Sequence, residues 1–231
     1  MIHRSDRILD NIPVGSLGII ALDGCQEKVA NVDEYLVKWR KESNLAHKDD
    51  VVFAGYEQDS YMINAKVPRF GSGEAKGIIE ESVRGKDLYL MVDVLNYSLT
   101  YSLSGKTNHM SPDDHYSDLK RVIAAASGKA RRINVIMPFL YESRQHKRST
   151  RESLDCAIML QELKSMGVDN IITFDAHDPR VQNAIPMSGF ESIQPTYQFI
   201  KSLLRSVDDL QIDKDHMMMI SPDEGAMNRV V

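Results

Sequence analysis

Asp175, Ala176 and His177 close the apolar run Asn170-Ile171-Ile172-Thr173-Phe174. If that run is a strand, residues two apart point the same way. A carboxylate and an imidazole then emerge together at the edge where open α/β sheets hold ligands. The carboxylate is a hard oxygen ligand for Mg2+, and the imidazole can donate a hydrogen bond to phosphate or itself join a metal. Arg144, Lys147, Arg148 and Arg151 follow a second apolar run, Ile133-Asn134-Val135-Ile136-Met137-Pro138. Guanidinium forks match phosphate oxygens, and a helix starting near residue 150 would add backbone donors. A solvated charged surface is the competing explanation for such a basic run. A third cluster, Ser221-Pro222-Asp223-Glu224-Gly225, follows His216-Met217-Met218-Met219-Ile220. Its glycine would let a phosphorylated ligand approach closely, although by itself the segment is an ordinary β-turn. Delivered to one rim by successive parallel strands, the three clusters suit a metal-bound polyphosphate.

The elements that must position these groups can be read from periodicity. Residues 16–22 predict a first strand ended by the turn Asp23-Gly24, and Val29, Val32, Leu36 and Trp39 predict an amphipathic helix over 28–43. Short β-like runs are expected at 51–55, 59–66, 77–83 and 87–94. Leu95 to His115 is polar and lacks an apolar period, so it reads as a long loop. Ser111-Pro112-Asp113-Asp114 has the capping hydroxyl, the proline and the acids of a helix start, and that helix should run to Ser127 and stop at Gly128. Strand 132–138, helix 150–166, strand 170–176, helix 195–206 and strand 216–220 then alternate. This is the pattern of an α/β protein with parallel sheets flanked by helices. A division near residue 160 is expected, with 1–160 forming one domain and 161–231 opening a second.

Composition narrows the function. The chain has 231 residues, 42% of them hydrophobic and 26% charged, with a net charge of -5. That charge argues against nonspecific nucleic-acid binding, which needs cations to displace counterions. The sequence contains no apolar run long enough for a membrane helix and no secretory signal, so a cytoplasmic protein is expected. Cys25 and Cys156 form no metal-binding spacing and read as idle, buried thiols. His3, His47, His109, His115 and His216 likewise show no ligand spacing and read as surface groups. Two glycine segments are decoys. Ser104-Gly105-Lys106-Thr107 lacks the first glycine of a Walker loop, where Thr100 stands, and Gly71-Ser72-Gly73-Glu74 lacks the dinucleotide spacing. Met217-Met218-Met219 reads as buried strand.

Over about residues 50–231 the chain resembles the ribose-phosphate pyrophosphokinases, also called phosphoribosyl pyrophosphate synthetases. The resemblance is carried in order by Phe70-Gly71-Ser72-Gly73-Glu74, Glu81-Ser82-Val83-Arg84-Gly85-Lys86-Asp87, Arg144-Gln145, Asp175-Ala176-His177 and Ser221-Pro222-Asp223-Glu224-Gly225. It implies a phosphoribosyltransferase-like fold of two similar halves, the second cut short here. The implied reaction is transfer of a diphosphoryl group from Mg-ATP to the 1-hydroxyl of ribose 5-phosphate, giving phosphoribosyl pyrophosphate and AMP for nucleotide biosynthesis. By the same resemblance Arg144, Gln145 and His177 would contact ATP. Phe70 and Glu74 would hold adenine across a subunit interface of a homo-oligomer. Asp175 and His177 would serve Mg2+, and Asp223 would face the ribose phosphate.

The chain departs from the family pattern at Ser72, where asparagine is usual, and at His146, where an acid follows the Arg-Gln pair. Two family acids align with Pro186 and Phe190, with Glu191 as a possible substitute, and Ala226 replaces a second glycine. The family's catalytic Lys/Arg loop and its acidic Thr/Gly-rich sugar-phosphate loop lie beyond the segment matching Asp223. An N-terminal portion with weak or no turnover of its own is therefore expected. A non-catalytic nucleotide-binding relative that regulates an active partner is the alternative, and a nucleotide-dependent oxidoreductase is disfavoured by the missing glycine fingerprint.

Overall fold

The computed structural model describes residues 13–44, 53 and 55–227. Five parallel strands make one sheet: β1 (Leu17–Ala21), β4 (Asp87–Met91), β7 (Arg132–Ile136), β8 (Asn170–Phe174) and β9 (Gly189–Ile193), in that spatial order. Two short antiparallel pairs stand apart from it. They are β2 (Ala65–Lys66) with β3 (Ile78–Ile79), and β5 (Thr100–Leu103) with β6 (Lys106–His109). The helices are α1 (Gln26–Asn44), α2 (Pro112–Ala126), α3 (Asp155–Ser165) and α4 (Thr196–Ser206).

The chain changes direction across the sheet at β1. Ile19 gives its N–H to Tyr61 and its carbonyl to Ile63 on the outer edge, while the N–H of Leu22 bonds Met91 at the end of β4. The segment around Met62 therefore lies outside β1, and the later strands of the sheet are laid down on the other side. Right-handed crossovers in opposite directions put helices on opposite faces. Accordingly α1 covers Leu17 and Ile19 through Val29, with Cys25 just before the helix in the same layer. Ile20, Leu88, Leu90, Ile133, Val135 and Ile171 point the other way and pack with Leu119 and Ile123 of α2 and Leu160 and Leu163 of α3. Burial on both faces explains why these strands read as continuous apolar runs.

Helix α2 begins as its sequence predicts. Ser111 and Asp114 form a reciprocal capping box, and Pro112 occupies the first turn. Helix α1 is rotated relative to the expected face, because the buried carboxylate of Asp33 accepts from Tyr61 N–H and Ser60 Oγ at 2.7 Å each. Val32 and Trp39, expected in the core, are 43% and 57% exposed. The expected loop over 95–115 contains the β5–β6 hairpin, and α3 starts at Asp155, not near 150. Residues 186–193 hold an unforeseen strand, β9. Most of the strand expected at 51–55 lies outside the described residues, as do His3 and His47. His115 is buried, not a surface group, with Nε2 2.8 Å from the Asn96 carbonyl.

The chain divides into two compact units, Met1–Ile193 and Gln194–Val231. The division expected near residue 160 falls inside α3. Both strands after it, β8 and β9, are hydrogen-bonded into the same sheet as β7, which carries the first unit past that point. In the second unit, 216–220 is not a strand, and Met218 and Met219 are 82% and 64% exposed. An isolated apolar run has no sheet to join among the described residues of that unit, and 217–220 take no regular backbone structure.

Candidate functional site

The Asp175–His177 turn hangs from two strands. Asp175 leaves β8 with φ of +41°, a left-handed conformation that is uncommon for a residue with a side chain. Its N–H bonds the Ile193 carbonyl at 3.0 Å, and the next N–H, of Ala176, bonds Ser192 Oγ at 2.9 Å. Thus β9 anchors the turn that the sequence places after β8, and Ser192 is a supporting residue that sequence reasoning missed. Ala176 is buried, Asp175 half-buried and His177 exposed. Asp178 then accepts from Arg180 N–H at 2.9 Å and starts the 3-10 turn Pro179–Ala184. The Arg180 guanidinium, aided by that backbone bond, holds the Asp178 carboxyl well below the usual carboxylate range.

The Arg144 loop leaves the same edge of the sheet from β7. Gln145 is spent on holding it: its Nε2 donates to the Ser153 carbonyl at 2.7 Å, and its own carbonyl accepts from Cys156 N–H at the start of α3. Glu152 ties off the rest, accepting from Ser149 N–H at 2.7 Å and Thr150 N–H at 3.3 Å. Arg151 therefore lies in a turn and not on a helix N-terminus, so the backbone donors expected beside it are absent from that position. Arg144, Lys147 and Arg148 are exposed, and the Arg144 guanidinium has no partner among the described residues. An exposed guanidinium at a sheet edge is placed to meet an anion.

The two loops meet. The His146 ring lies 4.9 Å from that of His177, and its Nε2 is 3.6 Å from Asp178 Oδ2. Parallel pairing of β7 with β8 puts both loops at the C-terminal edge, as the sequence requires of a shared rim. The opposite edge carries a structural polar network. Arg132 bonds Asp87 through two nitrogens at 2.8 and 2.6 Å, Asn134 donates to Asp87, and Asn170 donates to Asn134.

Phe70 and Glu74 sit on a turn closed by Phe70 N–H to the Glu74 carbonyl at 2.7 Å. Phe70 is 52% exposed and so is not a core aromatic. Glu74 accepts from Ser72 Oγ at 2.9 Å. Arg69, 10% exposed, fastens the turn to α2 by pairing with Asp118 at 3.0 Å, and lies 4.4 Å from the Tyr101 ring of the β5–β6 hairpin. The first turn of α2 also receives Tyr141 from the Arg144 loop, whose hydroxyl donates to Asp113. One helix N-terminal half thus braces both the Phe70 turn and the basic loop.

Asp223 lies in the second unit, exposed, where its Oδ1 accepts from Ala226 N–H at 2.8 Å. No strand of the second unit precedes it among the described residues, so the strand-to-helix setting expected for it is not found. Of the aligned family acids, Pro186 is exposed, Phe190 packs against the core and Glu191 is exposed on β9. Among the described residues no three His, Cys, Asp or Glu groups are arranged to hold a metal by themselves. A carboxylate and an imidazole on one turn fit Mg2+ arriving with phosphate and water oxygens, the usual habit of that ion.

Comparison with known proteins places residues 19–167 in a family model described as the N-terminal domain of ribose phosphate pyrophosphokinase. A ribose-phosphate pyrophosphokinase of Buchnera aphidicola subsp. Schizaphis graminum is 30% identical over 168 residues, 72% of this chain and 47% of that protein. Ribose-phosphate pyrophosphokinase B of Dictyostelium discoideum is 26% identical over 170 residues, 72% of this chain and 46% of the relative. The chain spans about half the length of the curated relatives it matches. The crystal structure of phosphoribosylpyrophosphate synthetase from Mycobacterium smegmatis superposes with a TM-score of 0.60 at 19% identity, covering 83% of this chain and 52% of that one, which is a likeness of fold.

Proposed function

We propose, from the premise that this chain belongs to the ribose phosphate pyrophosphokinase family through that family's N-terminal domain, that it supplies the nucleotide side of a ribose-phosphate diphosphokinase. The reaction moves the diphosphoryl group of ATP to the 1-hydroxyl of ribose 5-phosphate and releases AMP. The observation that carries this reading is the meeting of the Arg144 loop with the Asp175–His177 turn at one sheet edge. Phosphoryl-type transfer needs positioning and charge neutralisation more than covalent chemistry from the protein. Arg144 grips phosphate oxygens, Gln145 holds the loop that presents it, and His177 donates to the polyphosphate. Asp175, with His177, takes the Mg2+ side of Mg-ATP, where the bound ion supplies charge neutralisation. Phe70 and Glu74 offer an aromatic face and a carboxylate to adenine, reaching a neighbouring copy in a cytoplasmic homo-oligomer, and Asp223 serves the ribose phosphate.

The test is AMP formation from ATP by the full gene product. Release should require both ribose 5-phosphate and Mg2+, with weak or no turnover by residues 1–231 alone. AMP release that ignores ribose 5-phosphate would end the proposal. In the 231-residue chain, Arg144→Ala should weaken Mg-ATP binding at least about tenfold in calorimetry, matching a charge-assisted contact of about 1.5–3 kcal/mol. Because Phe190 occupies the place of a family acid and packs against the core, a second reading is retained. Binding of Mg-ATP without turnover by the full gene product would make the protein a nucleotide-binding regulatory relative.

A further inference from the structure

We propose that His146 and Asp178 form a clasp between the Arg144 loop and the Asp175–His177 turn, with His146 as a positioning residue that sets where Arg144 and His177 stand relative to each other. The proposal rests on the reading of these loops as the Mg-nucleotide site.

The register of β7 with β8 covers Asn134 with Asn170, Val135 with Ile171 and Ile136 with Ile172. Backbone bonds from Met137 N–H to Ile172 and from Phe174 N–H to Pro138 prolong it. Both segments then leave the sheet, so the ladder does not by itself fix the separation of the two functional loops. His146 stands in that gap. Its ring lies against His177, Nε2 faces Asp178, and Nδ1 is 3.1 Å from the Arg144 carbonyl. The side chains of His146 and Asp178 are 12% and 11% exposed, although both sit on loops. Polar groups that could reach water are instead packed on one another.

The two halves of the clasp differ. Asp178 is the fixed half, because Arg180 holds its carboxylate through Nε at 2.9 and 3.1 Å and through its backbone N–H, all within the same turn. His146 is the tethered half. Its bond to the Arg144 carbonyl means that a shift of the ring carries the Arg144 backbone with it. At 3.6 Å the contact between Nε2 and Oδ2 is longer than a formed hydrogen bond. The loops are therefore held near each other but can still close on a ligand, as site geometry commonly does on binding.

The test uses the 231-residue chain as wild type, His146→Ala, Asp178→Asn and the double variant. Asparagine at 178 keeps an acceptor for the 3-10 turn. Mg-ATP affinity is measured by calorimetry, the His177 ring protons by NMR, and folding by the urea midpoint. Each single variant should weaken Mg-ATP binding and shift the His177 ring signals. The double variant should fall short of additivity by at least about threefold, within the range for side chains in contact. Additive losses, or His177 signals indifferent to both substitutions, would overturn the clasp. A wild-type chain that binds no Mg-ATP would instead defeat the nucleotide reading. The clasp is then decided by the His177 signals and by coupling in the urea midpoint, where additivity overturns it.

Discussion

Single residues here divide into those that could meet a ligand and those the fold keeps away from solvent. Arg144 and His177 are exposed at the rim, whereas Cys25 and Cys156 are fully buried. Burial, more than any neighbouring charge, raises both thiols from 9.0 to about 11. About one molecule in a thousand then carries a thiolate at either position at pH 8, too few for ready alkylation. Both cysteines should resist a thiol reagent in the native protein at that pH and react at once in denaturant; rapid native labelling would contradict their placement. The sign of the linked stability follows. A group whose folded value is raised stabilises the native state below its unfolded value. That contribution is present below pH 9 and is lost as the pH climbs from 9 through 11. The urea midpoint should fall across that window and not across neutrality.

At the scale of elements, the site depends on parts that its own residues do not announce. The Asp175 turn is anchored by β9, a strand whose sequence Gly189-Phe190-Glu191-Ser192-Ile193 carries too little apolar signal to stand out. The β5–β6 hairpin escapes notice for a related reason: Thr100 to His109 is solvated on most of its surface, and the alternation of Thr100-Tyr101-Ser102-Leu103 is only four residues long. By contrast 216–220 looks like a core strand, yet an apolar run becomes a strand only where a neighbour can take its backbone bonds. Helix α2 is held close to the segment before β3 by an absent side chain. A Cβ on Gly77 would stand 2.5 Å from the Arg121 carbonyl oxygen, part of a helix backbone that cannot yield locally. Gly77→Ala should therefore lower stability by about 1–3 kcal/mol, the cost of overpacking, read from the urea midpoint. An unchanged midpoint would mean that α2 can slide.

For the whole molecule, the five-stranded sheet and its two apolar layers lie within Met1–Ile193. Helix α4 of the second unit has no buried residue, with Tyr197, Phe199 and Ile200 all exposed. A chain ended after Ile193 should accordingly unfold cooperatively with nearly the urea midpoint of the 231-residue protein. Loss of the transition would show that the sheet needs residues 194–231. No helix among the described residues is long and apolar enough to cross a membrane. The sequence alone determined the α/β class, the capped start of α2, and which polar groups follow β7 and β8, because hydrophobic period, capping side chains and side-chain identity are local properties of a chain. Tertiary structure decided the face that α1 buries, the strand that anchors Asp175, and the approach of His146 to His177 and Asp178. Those outcomes depend on which distant backbone groups and surfaces remain to be satisfied, and no stretch of sequence contains its own partners.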